Sequence, residues 1–182
     1  RSIILKIEEF IKGYLNHRVL FIGTGLILRY LNNSYSWENL LQHICYQLIG
    51  NKEINDEYYN LMEKGINISR FKIDISKLFK KLDFKINFED EFIHMKKARK
   101  NIGSIVTTNY DKLIENLFEF NPLIGNQILL SNPYGSVYKI HGCISQPNKI
   151  VLTSEDYNKF NTSYELIRAQ LLSLFIHNPI IF

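Results

Sequence analysis

The stretch Ser104–Leu117, SIVTTNYDKLIENL, decides how this chain is read. Ile105 and Val106 belong to a short apolar run that suits a strand covered on both faces. Tyr110, Leu113, Ile114 and Leu117 then recur at helical spacing. Between the two patterns stand Thr107, Thr108, Asn109 and Asp111, four polar residues where an ordinary turn would serve. Helix capping explains part of this. Asn is a good N-cap, and an Asp in the first turn offsets the helix dipole by about 0.3–1 kcal/mol. Capping does not explain the threonine pair. Thr107 and Thr108 are therefore candidates for ligand contact, Asp111 reads as the cap, and Asn109 stands open between cap and ligand contact.

Two other apolar runs end in the same way. Val19–Ile22 leads into Gly23-Thr24-Gly25, and Val137–Ile140 leads into His141-Gly142. In an open parallel sheet, ligands bind at the carboxyl ends of the strands, so the three motifs are expected to line one crevice. Gly23, Thr24 and Gly25 would let backbone approach a phosphate closely, although a lone GxG is equally a tight strand exit. His141 titrates near neutrality, which suits proton abstraction, and Gly142 beside it spares side-chain bulk where a substrate would approach.

The remaining pattern alternates. Helical spacing covers residues 3–15, and Ser36 reads as the N-cap of a helix that stops near Gly50. From there to about residue 100 the chain is helical in pattern, with segments near 56–64, 74–82 and 89–100. Residues 37–100 are expected to form a small inserted helical subdomain. Apolar runs at 104–107, 127–130, 137–140 and 150–152 are separated by helical stretches or Gly/Pro/Asn loops, and a helix over about 163–177 leads to a last strand at 180–182. The fold expected is α/β: a Rossmann-like, mostly parallel sheet flanked by helices.

The 182 residues allow one substantial core. A net charge of +4, spread among acids, is too weak to argue for nucleic acid; the one dense basic run, Lys96–Lys100, reads as a solvated helix end. Two distant cysteines, Cys45 and Cys143, build neither a disulfide framework nor a four-thiolate zinc site, and point to a reducing cytoplasm. The five histidines show no HExxH spacing, so no metal is expected. No apolar stretch approaches the roughly 20 residues that span a bilayer. The opening on Arg1 and the strand-like close at Phe182 read as a single, truncated domain of a longer protein.

FIGTG (21–25), SWENLL (36–41), IVTTNYD (105–111), KIHG (139–142) and VLTSEDY (151–157), in that order, resemble the sirtuin-like NAD-consuming domains of prokaryotic antiphage defence proteins. The resemblance implies NAD+ as substrate and Gly23–Gly25 as the phosphate-cradling loop. It further implies that Asn109 orients water and the nicotinamide ribose, that His141 is the catalytic histidine, and that Asp111 is the acid of the same motif. It implies an oligomer, and a defence partner or a fused further domain. Sirtuin deacylases carry a four-cysteine zinc module that this chain cannot build, which favours NAD+ hydrolysis without zinc over lysine deacylation. A nucleotide-binding sensor or assembly module, and a zinc-free deacylase, remain as alternatives. The apolar loop Leu26–Tyr30 departs from the small-residue loop of the family, and a Gly-Tyr-Ser and Asp segment expected after Phe182 lies beyond the sequence.

Overall fold

A computed structural model describes residues 18–30, 67–80, 88–130, 135–177 and 180–181. Five strands form one sheet: β1 (Arg18–Ile22), β2 (Ile102–Thr107), β3 (Asn121–Ile124), β4 (Ser136–Lys139) and β5 (Ile180–Ile181), in the spatial order β3-β4-β2-β1-β5. Every pairing is parallel. Six helices accompany them among the described residues: α1 (Gly25–Tyr30), α2 (Ile68–Lys80), α3 (Glu89–Ala98), α4 (Leu113–Phe118), α5 (Ser154–Ser163) and α6 (Glu165–His177). The Rossmann-like α/β architecture expected from the alternation is the one observed.

Strand alternation sorts the core into two faces. Ile22, Ile105 and Val137 pack on one face against Ile114, Leu117 and Phe118 of α4. Val19, Val106 and Tyr138 pack on the other against Ile167, Leu171 and Leu174 of α6. A third cluster joins Phe71 and Ile75 of α2 to Tyr110, Ile124, Cys143, Ile144, Ile150 and Leu152. These last residues come from strand ends and the connections after them, so α2 packs over the carboxyl end of the sheet.

The registers bring four strands to one level. Thr107 lies opposite Ile22 of β1 and Lys139 of β4, and Lys139 lies opposite Ile124 of β3. Each of these four is the last residue of its strand. Gly23, Thr108 and Ile140 therefore leave the sheet side by side, and β1, β2 and β4 are neighbours.

Several sequence expectations change. The run 127–130 is no strand: it lies in the 3-10 helix Gly125–Leu130, and the strand is Asn121–Ile124 before it. Gly125, at φ 58°, turns the chain there, and Pro122 is tolerated because β3 is an edge strand. The run 150–152 is buried but unpaired with the sheet; its polar backbone is satisfied by His141, Tyr110 and Asp156 instead. Leu26–Tyr30 is not a loop but most of α1, and its apolar character is that of a packed helix, with Ile27 and Tyr30 buried. The helix expected over 163–177 is α6, preceded by α5, which the sequence pattern had not separated. The helices read at 3–15, 36–50 and 56–64 lie outside the described residues.

Candidate active site

The turn after β2 ties three elements together through three consecutive residues. Asn109 Nδ2 donates to the carbonyl of Gly23 beyond β1, at 2.9 Å. Tyr110 donates its hydroxyl to the carbonyl of Val151 at 2.6 Å, and its own carbonyl accepts from Ile144 N–H at 2.9 Å. Asp111 Oδ1 accepts from Leu113 N–H at 2.7 Å, closing the first turn of α4. The N-cap position of α4 is Lys112, without a side-chain cap bond, so Asp111 closes a turn one residue ahead of it rather than capping the helix as its residue type suggests, and Asn109 is not a cap at all.

Thr107 sets the turn from below. Its hydroxyl donates to Ile22 carbonyl at 2.7 Å and accepts from Asn109 N–H at 3.0 Å. It is fully buried, so its oxygen serves the protein's own backbone, whereas Thr108 is half-buried at the turn. The carboxamide of Asn109 spends one N–H on Gly23, and its Oδ1 has no partner among the described residues. That oxygen is free to accept from a water or a hydroxyl.

Gly23 is half-buried, and Thr24 and Gly25 are exposed at the start of α1. A Cβ placed on Gly23 or Gly25 would meet no atom within 4 Å among the described residues. Gly142 is the opposite case. At φ 93° its missing Cβ would lie 2.7 Å from Lys149 carbonyl oxygen and 2.9 Å from Ile150 Cα. The bulk that Gly142 spares makes room for protein backbone, not for the open crevice.

His141 sits half-buried against two aromatic rings of α5. Tyr157 and Phe160 meet its imidazole edge-to-face, with centroids 5.4 and 5.6 Å away and planes at 87°. Neither ring nitrogen has a hydrogen-bond partner among the described residues. Burial holds its pKa below the ordinary value, so the ring is neutral at neutral pH and able to accept a proton. Its carbonyl accepts from Val151 N–H at 2.9 Å, and Val151 carbonyl receives the Tyr110 hydroxyl. One residue, Val151, therefore links the asparagine turn to the histidine.

α5 is itself firmly placed. Thr153 and Asp156 form a reciprocal capping box, and Lys72 of α2 reaches Asp156 at 2.7 Å. Burial pushes the Asp156 carboxyl up, but Lys72 and the N–H groups of Thr153 and Leu152 outweigh it and hold it below its ordinary value. Asp111 goes the other way. Burial raises it, and the Leu113 N–H and Lys139 compensate only in part. Its Oδ2 is buried without a hydrogen-bond partner among the described residues.

The structure thus joins Gly23, Thr107 and Asn109 by hydrogen bonds, carries Asp111 on the same turn and links His141 to that turn through Val151. Tyr110, Tyr157 and Phe160 were not singled out from the sequence. The available signal was Tyr157 and Phe160 at helical i, i+3 spacing within a segment opened by a Thr-x-x-Asp cap. Among the described residues no helix is long and apolar enough to cross a membrane.

Residues 103–182 match the SIR2-like domain. A curated relative, the NAD(+) hydrolase ThsA of Bacillus cereus (strain MSX-D12), is 30% identical over 174 residues, covering 86% of this chain. The match takes in 34% of that relative, so the chain spans about a third of its length. By these matches, residues 103–182 belong to the SIR2-like, or sirtuin-like, domain family, and the fold of the chain is consistent with it.

Proposed function

We propose that the protein hydrolyses NAD+ at the bond between nicotinamide and ribose, releasing nicotinamide and ADP-ribose. The observation that carries this reading is the common level at which β1, β2 and β4 end. It brings an open glycine loop, an asparagine with an unengaged carbonyl oxygen and a neutral histidine to one edge of the sheet. The similarity to ThsA, an NAD(+) hydrolase, supports the same substrate.

Nicotinamide is attached as a cationic pyridinium. When the C1′–N bond breaks, its electron pair goes to the ring nitrogen and nicotinamide leaves neutral, without a general acid. Water forms the new C1′–O bond and gives up one proton. Gly23–Gly25 would receive the pyrophosphate, since a Cβ placed on Gly23 or Gly25 would meet no atom within 4 Å among the described residues. Asn109 Oδ1 would orient the water or a ribose hydroxyl, and the neutral His141 would accept the proton, directly or through the ribose. General-base help of this kind is worth about 10²–10⁴-fold. Asp111 and Thr107 would hold the turn, and Thr108 would border the nucleotide.

The activity would serve antiphage defence, a reading that rests on the sequence resemblance, as do an oligomeric assembly and a defence partner. The biochemical test is product analysis. The full-length protein, given NAD+ and no acylated peptide, is expected to yield nicotinamide and ADP-ribose in equal amounts. Binding without release would favour a sensor, and release that requires an acyl-lysine peptide would favour a deacylase. Either result would overturn the proposal.

A further inference from the structure

Lys139 is a lysine with no exposed side-chain surface, at the last position of a strand whose other residues are buried. On its face of the sheet the neighbours are Val137, Ile105 and Ile22, with Ile114 and Leu117 above them. An apolar side chain would continue that core. Replacing buried ion pairs by well-packed apolar residues is often neutral or stabilising, so stability alone does not account for a lysine here.

The ammonium group has two partners. It lies 2.7 Å from Glu115 Oε1 on α4, and it donates to the carbonyl of Asp111. Asp111 carbonyl belongs to the turn that carries Asn109. The same turn is held on its other side by Thr107, which lies opposite Lys139 in the β2–β4 register and binds Asn109 N–H. His141 follows Lys139 by two residues on the same strand exit.

We propose that Lys139 is a positioning residue, whose buried ammonium grips the Asn109–Asp111 turn and so fixes the Asn109 carboxamide relative to the strand end that carries His141. The role given to Asn109 rests on the hydrolase reading above, but the grip on the turn is a separate structural claim. Glu115 is the counter-charge that allows the ammonium to be buried. Asp111 carbonyl is the contact that matters for position. A methionine could fill the same space and would leave that carbonyl without its donor.

Lys139→Met alone would strand a buried Glu115, so the test uses Lys139→Met/Glu115→Leu in the full-length protein, with Glu115→Gln, which leaves an oxygen facing the ammonium, as its companion. The double variant is expected to keep parent-like amide protection in β1, β2 and β4 while exchange accelerates over residues 108–113. Its kcat for nicotinamide release is expected to fall about 100-fold, the scale of a misplacement near 1 Å, with KM close to the parent's. Glu115→Gln, which keeps the bond from Lys139 to Asp111, is expected to retain more protection over 108–113 and more of kcat than the double variant. Unchanged exchange over 108–113 in the folded double variant would overturn the proposal. So would a Glu115→Gln variant that loses as much as the double, or a double variant that does not fold. The exchange measurement reads the turn whether or not the parent hydrolyses NAD+, so failure of this inference and failure of the hydrolase reading are distinguishable.

Discussion

The hydroxyl of Tyr110 donates to the carbonyl of Val151, 41 residues away in sequence, at 2.6 Å. Val151 N–H in turn donates to the carbonyl of His141. The turn bearing one candidate catalytic residue is thereby bonded to the strand exit bearing the other. Neither bond is part of a helix or of the sheet ladder. They exist because the buried segment Ile150–Leu152 has no strand partner and its backbone must be satisfied by other means.

Tyr110→Phe removes the donor and leaves Val151 carbonyl buried and unpaired. A loss of about 1–3 kcal/mol in stability is expected, read by chemical denaturation. A fall in kcat beyond the parent's at matched folded fraction is also expected, because the turn and His141 lose their shared tether.

The pH dependence follows from the burial of His141. Its folded pKa lies below the ordinary value near 6.5, so the neutral base persists as the solution is acidified past 6.5. The acid limb of kcat/KM should bend below that value. The stability contribution of the neutral ring is present above the unfolded value and is lost as pH falls through the depressed folded one. His141→Gln should flatten this part of the stability profile, measured by thermal melts across pH 5–8.

Asp111 has the opposite sign. Its folded pKa is raised, so its contribution to stability is present below the unfolded value and is lost as pH rises through the folded one. Asp111→Asn keeps an oxygen for Leu113 N–H and removes a charge whose Oδ2 has no partner among the described residues. At neutral pH the variant should match or exceed the parent in Tm, and its advantage should shrink as both are acidified toward pH 4. A drop in activity without a drop in Tm would mark the carboxylate as part of the chemistry rather than of the turn.

Gly142→Ala tests a purely steric claim. The new Cβ would meet Lys149 and Ile150 backbone at under 3 Å, at a φ that side chains rarely adopt. A cost of about 3 kcal/mol or more is expected. In a chain of this size that lowers Tm by about 6–12 °C. A variant with parent-like Tm would mean that the 142 and 149–150 backbones are not in contact.

The sequence carried the central part of the fold plainly and the periphery poorly. β1, β2 and β4 are short β-branched or aromatic runs that end in polar motifs, so both their existence and the common level at which those motifs leave the sheet were readable. The strand Asn121–Ile124 was hidden because Pro122 and its short length demote it, while the more apolar run after it coils into a 3-10 helix. Ile150–Leu152 misled for the same reason: burial, not sheet pairing, makes it apolar. Asn109 could not be separated from a cap by residue type, since the distinction lies in its bond to Gly23, 86 residues earlier. Lys139 and Glu115 were illegible because charged residues on a strand and a helix ordinarily mark solvent.

The central claim, that Asn109 and His141 act together on NAD+ at neighbouring strand ends, is tested most directly by nicotinamide release. The full-length parent, Asn109→Ala and His141→Ala are compared at saturating NAD+, with folding of each checked by circular dichroism and thermal melting. Release by the parent and a loss of at least about 100-fold in both folded variants is the expected result. Parent-like release by either folded variant would contradict it.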